Sequence, residues 1–289
     1  MTTADDVHEP PPPSPRGGAL VTGAGRGIGF EIARRLVEQG YFVHVTDVDG
    51  VLADQAAAEL GPTAFASILD VRSFRACRAA ASRTLRRAGS LEVWVNNAGV
   101  LVTGPAWEQD ERQRALMLDV NATGTINGTV AALEPMRAAG RGHVINVVSL
   151  AGLVAAPGEA VYAASKHAAL GFSLATLTDL RLAGIDGIDI SCVCPDGVWT
   201  PMLYDKLDDP NAAASFSGSL LRPEQVADHA VGLLARPQPV LAIPRWRGAQ
   251  VRLFDLFPEQ STRWAPRVLA NARRKQRRYL RRSRAGKLP

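Results

Sequence analysis

The feature that most constrains this chain is a glycine-rich string, TGAGRGIG at residues 22–29, placed between an apolar strand and an amphipathic helix. The run ALVT at 19–22 is typical of a buried strand, and FEIARRLVEQ at 30–39 repeats apolar residues at helical spacing before Gly40. A second β-branched run, YFVHV, follows at 41–45. This order predicts a βαβ unit, whose right-handed crossover makes the two strands parallel neighbours in one sheet.

The same alternation extends along most of the chain. Apolar runs predict further strands near 64–69, 91–95, 143–148, 188–193 and 239–243, and helical patterns occupy 73–88, 107–139, 160–183 and 223–235. Short apolar strands alternating with helices are typical of a parallel sheet covered on both faces. We therefore predict an α/β, doubly wound sheet of about seven strands in a single domain at residues 19–245. A disordered proline-rich arm at 1–18 and a basic helical extension at 246–289 would flank this domain.

Cysteine content and hydropathy exclude several protein classes. Cys77, Cys192 and Cys194 are too few and too poorly spaced for a disulfide framework or a zinc site, so no metal site is predicted. The first residues lack the apolar core of a signal peptide, and no run approaches the roughly 18 apolar residues that span a bilayer. The expectation is a reduced, cytoplasmic protein whose only possible membrane contact is peripheral.

Positive charge is concentrated in the C-terminal tail. Residues 263–289 hold eleven of the 33 Lys and Arg and no Asp or Glu, so the rest of the chain carries −6 against +5 for the whole. Apolar residues recur in this tail at roughly helical spacing, at Val268, Leu269, Ala272, Tyr279 and Leu280. A solvated or docked terminal helix is the favoured interpretation, and peripheral contact with an anionic membrane is the second. Nucleic-acid binding is disfavoured because no stacking aromatics accompany the charge.

The glycine string lies where such a fold holds a dinucleotide. Small residues let the backbone approach a pyrophosphate closely, and a helix N-terminus presents free N–H groups and partial positive charge to it. Asp47, at the end of the second strand, can accept hydrogen bonds from a ribose diol and would repel a 2′-phosphate, whereas Arg26 could pair with that phosphate. The carboxylate outweighs the mobile guanidinium, so NAD is the predicted cofactor and NADP the alternative.

Further motifs follow in a fixed order. Asp70-Val71 comes after the third strand, Asn96-Asn97-Ala98-Gly99 after the fourth, Asn121 within a long helical pattern and Ser149 at the end of the fifth strand; Tyr162 and Lys166 come thirteen and seventeen residues later. In this order and spacing, residues 17–245 resemble the single-domain branch of the short-chain dehydrogenase/reductase family. The resemblance implies a Rossmann-like fold and a homo-oligomer, either a dimer or a tetramer.

The resemblance also implies roles for individual residues in cofactor binding. The pyrophosphate turn would be formed by Gly23, Arg26, Gly27, Ile28 and Gly29. Asp70 and Val71 would lie at the adenine, and the sheet beside the cofactor would be supported by Asn97, Ala98 and Gly99. The nicotinamide end would be completed by Pro195, Val198 and Thr200.

For catalysis, the resemblance assigns Ser149 to the substrate oxygen, Tyr162 to proton transfer and Asn121 to a water in a proton relay. Lys166 would bind the nicotinamide ribose and depress the pKa of Tyr162. Oxidising an alcohol requires a base for the hydroxyl proton. A free tyrosine has a pKa of about 10, which is too high for it to serve as a base near neutrality, so its phenolate must be stabilised. An ammonium one helical turn away favours the phenolate, and a serine hydroxyl stabilises charge on the substrate oxygen.

The predicted function is an NAD-dependent oxidoreductase that interconverts a lipophilic alcohol and its ketone or aldehyde. An NADP-dependent carbonyl reductase is the alternative, and a non-catalytic NAD-binding sensor or scaffold is the rival of another class. Largely apolar loops at 100–104, 151–159 and 199–221 would hold the substrate, through Leu101, Leu153, Trp199 and Leu203. Residues 202–221 are typical of a mobile lid, or of a segment packed on neighbouring helices.

Two features depart from the family pattern. Asp196 stands where the family commonly has glycine, which predicts a different backbone turn near the nicotinamide or simply a turn-forming aspartate. The frequent Gly-Gly ending after the last strand is absent, and Trp246 followed by two helical stretches takes its place.

Overall fold

The sheet of the computed structural model, which describes residues 16–285, contains seven parallel strands in the order β3-β2-β1-β4-β5-β6-β7. The strands are β1 (Gly18–Thr22), β2 (Phe42–Asp47), β3 (Ala64–Ile68), β4 (Val93–Asn96), β5 (Gly142–Val147), β6 (Ile188–Pro195) and β7 (Val240–Ile243). The strand order reverses between β1 and β4, and open α/β sheets bind ligands at such a switch point. The predicted doubly wound, Rossmann-like sheet is confirmed.

Ten α-helices connect and extend these strands within the described residues. They are α1 (Gly27–Glu38), α2 (Gly50–Leu60), α3 (Phe74–Ala88), α4 (Glu111–Leu118), α5 (Gly124–Ala139), α6 (Ala160–Leu182), α7 (Pro201–Tyr204), α8 (Pro223–Gly232), α9 (Arg245–Asp255) and α10 (Pro258–Arg284). The segment between α7 and α8 also contains a short 3₁₀ helix, Pro210–Phe216.

The prediction of one helix over 107–139 is wrong at its start and in its middle. A capping box between Asp110 and Gln113 starts α4 at Glu111, because their side chains satisfy the first free N–H groups of the helix. A π-helical turn, Asp119–Thr123, then separates α4 from α5 and contains Asn121. Such turns are frequent at functional sites.

Both faces of the sheet are buried, as the continuous apolar strands predict. On β1, Val21 packs with Ile32 of α1 and Val226 of α8, while Leu20 belongs to the opposite layer with Cys77 of α3. The alternation of side chains along a strand divides the two layers. Each fully buried aliphatic side chain contributes about 1.5–3 kcal/mol of hydrophobic stabilisation, so the sheet is a rigid support for the loops at its edge.

The two chain ends differ from the predicted boundaries or lie outside the described residues. Residues 1–15 of the predicted disordered arm lie outside, and Gly18 already belongs to β1. Residues 286–289 of the predicted basic extension lie outside as well. Between residues 16 and 285, no helix is both long enough and apolar enough to cross a membrane.

The C-terminal extension, defined as α9 and α10, folds back onto the protein. A Cβ atom at Gly248 of α9 would lie 2.2 Å from the Cβ atom of Ala242 in β7, so the helix and strand approach closely. On α10, Ala272 is buried, and Tyr279 and Leu280 pack against the cluster that contains Phe216. The structure therefore agrees with the docked alternative for the tail, since much of the apolar stripe that a membrane would bury faces the protein instead.

Candidate active site

A cavity of about 1050 Å³ opens at the carboxyl ends of the strands. Its wall includes most of the residues predicted for the cofactor and the reaction, namely Gly23, Arg26, Gly27, Ile28, Asp47, Asp70, Val71, Asn97, Ala98, Gly99, Leu101, Ser149, Tyr162, Lys166, Pro195, Val198, Thr200 and Leu203. Parallel strands end at the same edge of the sheet, which is why positions far apart in the sequence meet here.

The glycine loop forms a close-fitting cradle beside β4. A Cβ atom at Gly23 would lie 2.8 Å from the Cα atom of Ala98, and one at Gly29 would lie 2.3 Å from the carbonyl oxygen of Gly23. The Asn97 amide donates hydrogen bonds to the carbonyl oxygens of Thr22 (3.0 Å) and Gly23 (2.9 Å). Asn97 thus braces the loop with its side chain, and the glycines at 23 and 29 let the loop pack tightly against β4 and the start of α1, where the helix N-terminus can hold a pyrophosphate.

Asp47 is held at the edge of this cradle. Its carboxylate accepts hydrogen bonds from the backbone N–H groups of Gly25 (3.1 Å) and Asp49 (3.1 Å). The fixed carboxylate, which lines the cavity at the end of β2, fits the hydroxyls of an adenosine ribose. Arg26 lines the same cavity. The cavity wall thus contains both the carboxylate that would favour NAD and the guanidinium that could pair with the 2′-phosphate of NADP.

Asp70 has a partner that the sequence interpretation missed. The Arg72 guanidinium donates to both oxygens of its carboxylate, at 2.9 Å from Nε to Oδ1 and 2.7 Å from Nη2 to Oδ2. These hydrogen bonds lower the pKa of Asp70. Asp70 is therefore an anion fixed by Arg72 at the predicted adenine end of the cavity.

Ser149, Tyr162 and Lys166 come together at the end of β5 and on the first turns of α6. The Ser149 hydroxyl accepts a hydrogen bond from the Ala151 N–H at 3.1 Å, and it interacts closely enough with the Tyr162 phenol to lower its pKa. The Lys166 ammonium donates to the Val147 carbonyl at 3.0 Å. Because α6 places residues 162 and 166 one turn apart, the ammonium stands beside the tyrosine ring.

Burial dominates the electrostatics of this group. It raises the pKa of Tyr162, the charge of Glu159 raises it further, and the hydrogen bond from Ser149 lowers it. Burial also lowers the pKa of Lys166 to about 8. In these surroundings Tyr162 is a neutral phenol, which is the form that donates a proton to a carbonyl oxygen.

Asn121 is fully buried in the π-helical turn, and its side chain is fully engaged. Its amide oxygen accepts from the Val100 N–H at 2.8 Å, while its amide nitrogen donates to the Val100 carbonyl (2.9 Å) and to the Ser165 hydroxyl (3.0 Å). The side chain therefore ties the loop after β4 to α6. Both amide protons are thus used, so a water of the predicted relay could bond to this side chain only by donating to the amide oxygen.

The four predicted substrate contacts divide into two pairs. Leu101 and Leu203 line the cavity. Leu153 packs instead in a buried cluster with Val148, and the Trp199 ring lies between Tyr204 and Tyr279, at centroid distances of 5.6 and 6.2 Å. Leu153 and Trp199 are not among the residues that line the cavity, so a substrate contact for either stays a prediction.

Asp196, the residue in place of the family glycine, belongs to a buried ion pair. Its Oδ2 atom lies 2.9 Å from Nε of Arg247 on α9, and the two side chains are 6% and 13% exposed. Arg247 also donates to the Ser217 hydroxyl at 3.0 Å, and Asp196 accepts from the Gly197 N–H at 3.0 Å. The aspartate thus does more than form a turn: it joins the loop after β6 to the C-terminal extension.

Glu159 is a second residue that the sequence interpretation did not single out. Its side chain is buried at the cavity wall, and its Oε1 atom accepts a hydrogen bond from the Ser215 hydroxyl at 2.6 Å. Burial raises its pKa to about 7. The available signal was an acidic residue in an otherwise apolar loop, three positions before Tyr162.

Known proteins resemble this chain in both sequence and fold. A family model described as short chain dehydrogenase matches residues 18–211. Cyclopentanol dehydrogenase of Comamonas testosteroni is 35% identical over 205 residues, which are 70% of this chain and 81% of that protein. L-fucose dehydrogenase of Bos taurus is 33% identical over 228 residues, covering 77% and 79% respectively. The crystal structure of a short chain dehydrogenase/reductase from Burkholderia phymatum in complex with NAD is 26% identical, covers 85% of this chain and 95% of its own, and superposes with a TM-score of 0.78.

Proposed function

Because the chain belongs to the short-chain dehydrogenase family of oxidoreductases, we propose that it interconverts a lipophilic alcohol and its ketone or aldehyde with NAD. The observation that carries this proposal is the convergence of Ser149, Tyr162 and Lys166 on the cavity into which the glycine loop opens. A phenol, a hydroxyl and an ammonium at one point beside a dinucleotide cradle form the proton-transfer half of such a reaction.

The cofactor would be held by the glycine loop and by Asp47. Gly23 and Gly27, which line the cavity at the start of α1, would take the pyrophosphate, and Asp47 would accept hydrogen bonds from the ribose diol. When bound, the nicotinamide supplies the hydride donor or acceptor of the reaction. Asp47 favours NAD because its charge repels a 2′-phosphate, and Arg26 keeps an NADP-dependent carbonyl reductase as the alternative.

Tyr162 would exchange a proton with the substrate oxygen through its Oη atom. In the reductive direction the neutral phenol donates this proton, and in the oxidative direction the phenolate accepts it. Lys166 favours the phenolate because its ammonium lies on the same helical face, and Ser149 donates a hydrogen bond to the same substrate oxygen. Asn121 would act as a positioning residue, since its amide fixes the loop after β4 against α6.

The lipophilic substrate is inferred from the cavity wall. Beside the proposed catalytic residues, Leu101, Val154, Met202 and Leu203 supply an apolar surface. The names of the relatives include a cyclic alcohol and a sugar, so the family alone does not choose the substrate. These apolar side chains favour a lipophilic substrate over a polyol, because hydroxyls placed against them would lose their hydrogen bonds to water without replacement.

Three expectations about context remain proposals. A homo-oligomer follows from the family resemblance, and a cytoplasmic location follows from the sequence. Contact with an anionic membrane now depends on the outward arginines of α10 and on the exposed aromatics Trp246 and Trp264, since part of the apolar stripe is docked. Nucleic acid stays a disfavoured partner.

The test is a panel of lipophilic secondary alcohols and ketones assayed with NAD and with NADP by nicotinamide absorbance. Alcohols that carry deuterium at the carbinol carbon would show whether that atom is transferred directly to the cofactor. We expect transfer with NAD. Cofactor binding without transfer across the whole panel would instead support the sensor or scaffold alternative.

A further inference from the structure

The C-terminal extension contributes one wall of the cavity that contains Tyr162. Val251 and Phe254 of α9 line it together with Ala265, Val268 and Leu269 of α10. The match to the family model ends at residue 211. This wall therefore lies in a part of the chain that the shared family pattern does not describe.

The spacing of these residues explains how a helix with so many arginines contributes apolar side chains to the cavity wall. Positions 265, 268, 269, 272 and 276 recur at intervals of three and four, which places them on one face of α10. Ala272 and Gln276 of this face are buried against the protein. The same face continues toward the helix N-terminus as the cavity wall at Val268 and Leu269.

Hydrogen bonds hold this wall against the segment between β6 and α8. The Gln276 amide nitrogen donates to the backbone carbonyls of Lys206 (3.0 Å) and Asp209 (2.6 Å). The Lys275 ammonium donates to the Ser217 carbonyl at 2.9 Å, and Arg247 forms the ion pair with Asp196. The extension and residues 196–217 are thus joined at several points around the cavity.

We propose that the C-terminal extension determines which substrates are accepted, through an apolar wall at Phe254, Val268 and Leu269. This inference rests on the proposed function, and it narrows the substrate class to alcohols or ketones whose apolar portion extends well beyond the reacting carbon. Each substrate methylene group that packs against the wall is removed from water, and this burial increases kcat/KM by about fourfold. Short alcohols react without touching the wall.

The experiment measures kcat/KM with NAD for unbranched secondary alcohols of increasing length. In the wild-type chain, kcat/KM rises with length. Leu269→Ala and Phe254→Ala lower kcat/KM for the long alcohols by on the order of tenfold while leaving short alcohols and the KM for NAD within about twofold. Leu253→Ala is the matched control, because Leu253 neighbours Phe254 on α9 but is 58% exposed. In Leu269→Trp, the larger side chain fills the space beside the wall, so kcat/KM falls most for the longest alcohols.

Calorimetric titration of the corresponding ketones in the presence of NADH separates this inference from the proposed reaction. In one outcome, ketone affinity rises with chain length in the wild type and no longer does so in Leu269→Ala, but no assay shows turnover. That outcome would support the apolar wall and refute the proposed reaction. Absence of a length dependence in both turnover and binding overturns the wall, as does an equal loss in Leu253→Ala. If Leu269→Ala fails to fold, Leu269→Val and Phe254→Leu make the same comparison with smaller changes in volume.

Discussion

The Nζ atom of Lys166 lies 5.7 Å from the centroid of the Tyr162 ring, on the same face of α6. Lys166 is buried and Tyr162 is half-buried, and desolvation acts on them in opposite directions: it raises the pKa of Tyr162 and lowers that of Lys166 to about 8. In the proposed mechanism, the ammonium is the nearby positive charge that favours the phenolate. The proposed proton transfer would therefore depend on whether Lys166 carries its charge.

Replacing Lys166 by methionine tests this dependence. Lys166→Met removes the charge that favours the phenolate, so the pKa of Tyr162 rises and the ascending limb of the pH profile for alcohol oxidation moves to higher pH. At neutral pH we expect kcat/KM to fall by about 10²-fold or more. The pH profile of kcat/KM checks this prediction, and a profile that is merely scaled down without moving along the pH axis would contradict it.

Glu159 makes folding stability depend on pH. Its pKa is about 7 in the folded protein against an ordinary 4.5, so the folded state holds this proton more tightly and stability falls as pH rises between those values. Glutamine cannot ionise, so Glu159→Gln removes this fall in stability with rising pH. Above pH 7 the free energy of unfolding of the variant therefore exceeds that of the wild type by about 1–3 kcal/mol. Urea unfolding at pH 5 and pH 8 measures the effect. The exposed Glu108→Gln serves as control, and identical slopes in wild type and Glu159→Gln would refute the prediction.

The buried pair of Asp196 and Arg247 is expected to couple strongly. Asp196→Asn leaves the Arg247 charge buried without its partner, which lowers the free energy of unfolding by about 3 kcal/mol. Adding Arg247→Met removes the unpaired charge and recovers most of that loss. Denaturant unfolding of the two single variants and the double variant forms a double-mutant cycle. Simple addition of the two losses would show that the pair does not act as a unit.

Asp47 should set the choice between NAD and NADP. The wild type is expected to bind NAD more tightly, and Asp47→Ala to lose about tenfold or more in NAD affinity while NADP affinity holds or improves. Fluorescence titration with both cofactors measures this change. Asp54→Ala, an exposed aspartate on α2, is the control. Equal or tighter NADP binding by the wild type would overturn the NAD assignment.

The strands and the glycine loop were predictable because both signals are local. Continuous apolar runs such as ALVT mark strands buried on both faces, and the glycine loop is recognisable between such a strand and a helix. Helix α2 was not predicted because its buried face consists of alanines, Ala53, Ala56 and Ala57, which barely distinguish a buried from an exposed face. The π-helical turn that contains Asn121 was also not predicted, since the Asn121 side chain bonds to Val100 and Ser165 from other segments of the chain.

Distant contacts also limited the prediction of the substrate side. Asp196 was visible as a departure from the family pattern, but its partner Arg247 lies 51 positions later in the chain. The Trp199 ring packs with Tyr279 of α10, and no local sequence pattern encodes that contact. The tail itself was correctly predicted to be helical and basic, whereas its place in the cavity wall required the folded structure.

The most direct test of the account is the rate of nicotinamide reduction in a single turnover by Tyr162→Phe. This variant retains the aromatic ring at the cavity and removes only the Oη atom that would exchange the proton. With enzyme saturated by NAD and mixed with a lipophilic secondary alcohol that the wild type oxidises, we predict a rate about 10²- to 10⁴-fold below wild type. The affinity for NAD should stay within a few-fold of wild type. A single-turnover rate equal to that of the wild type would contradict the proposed mechanism.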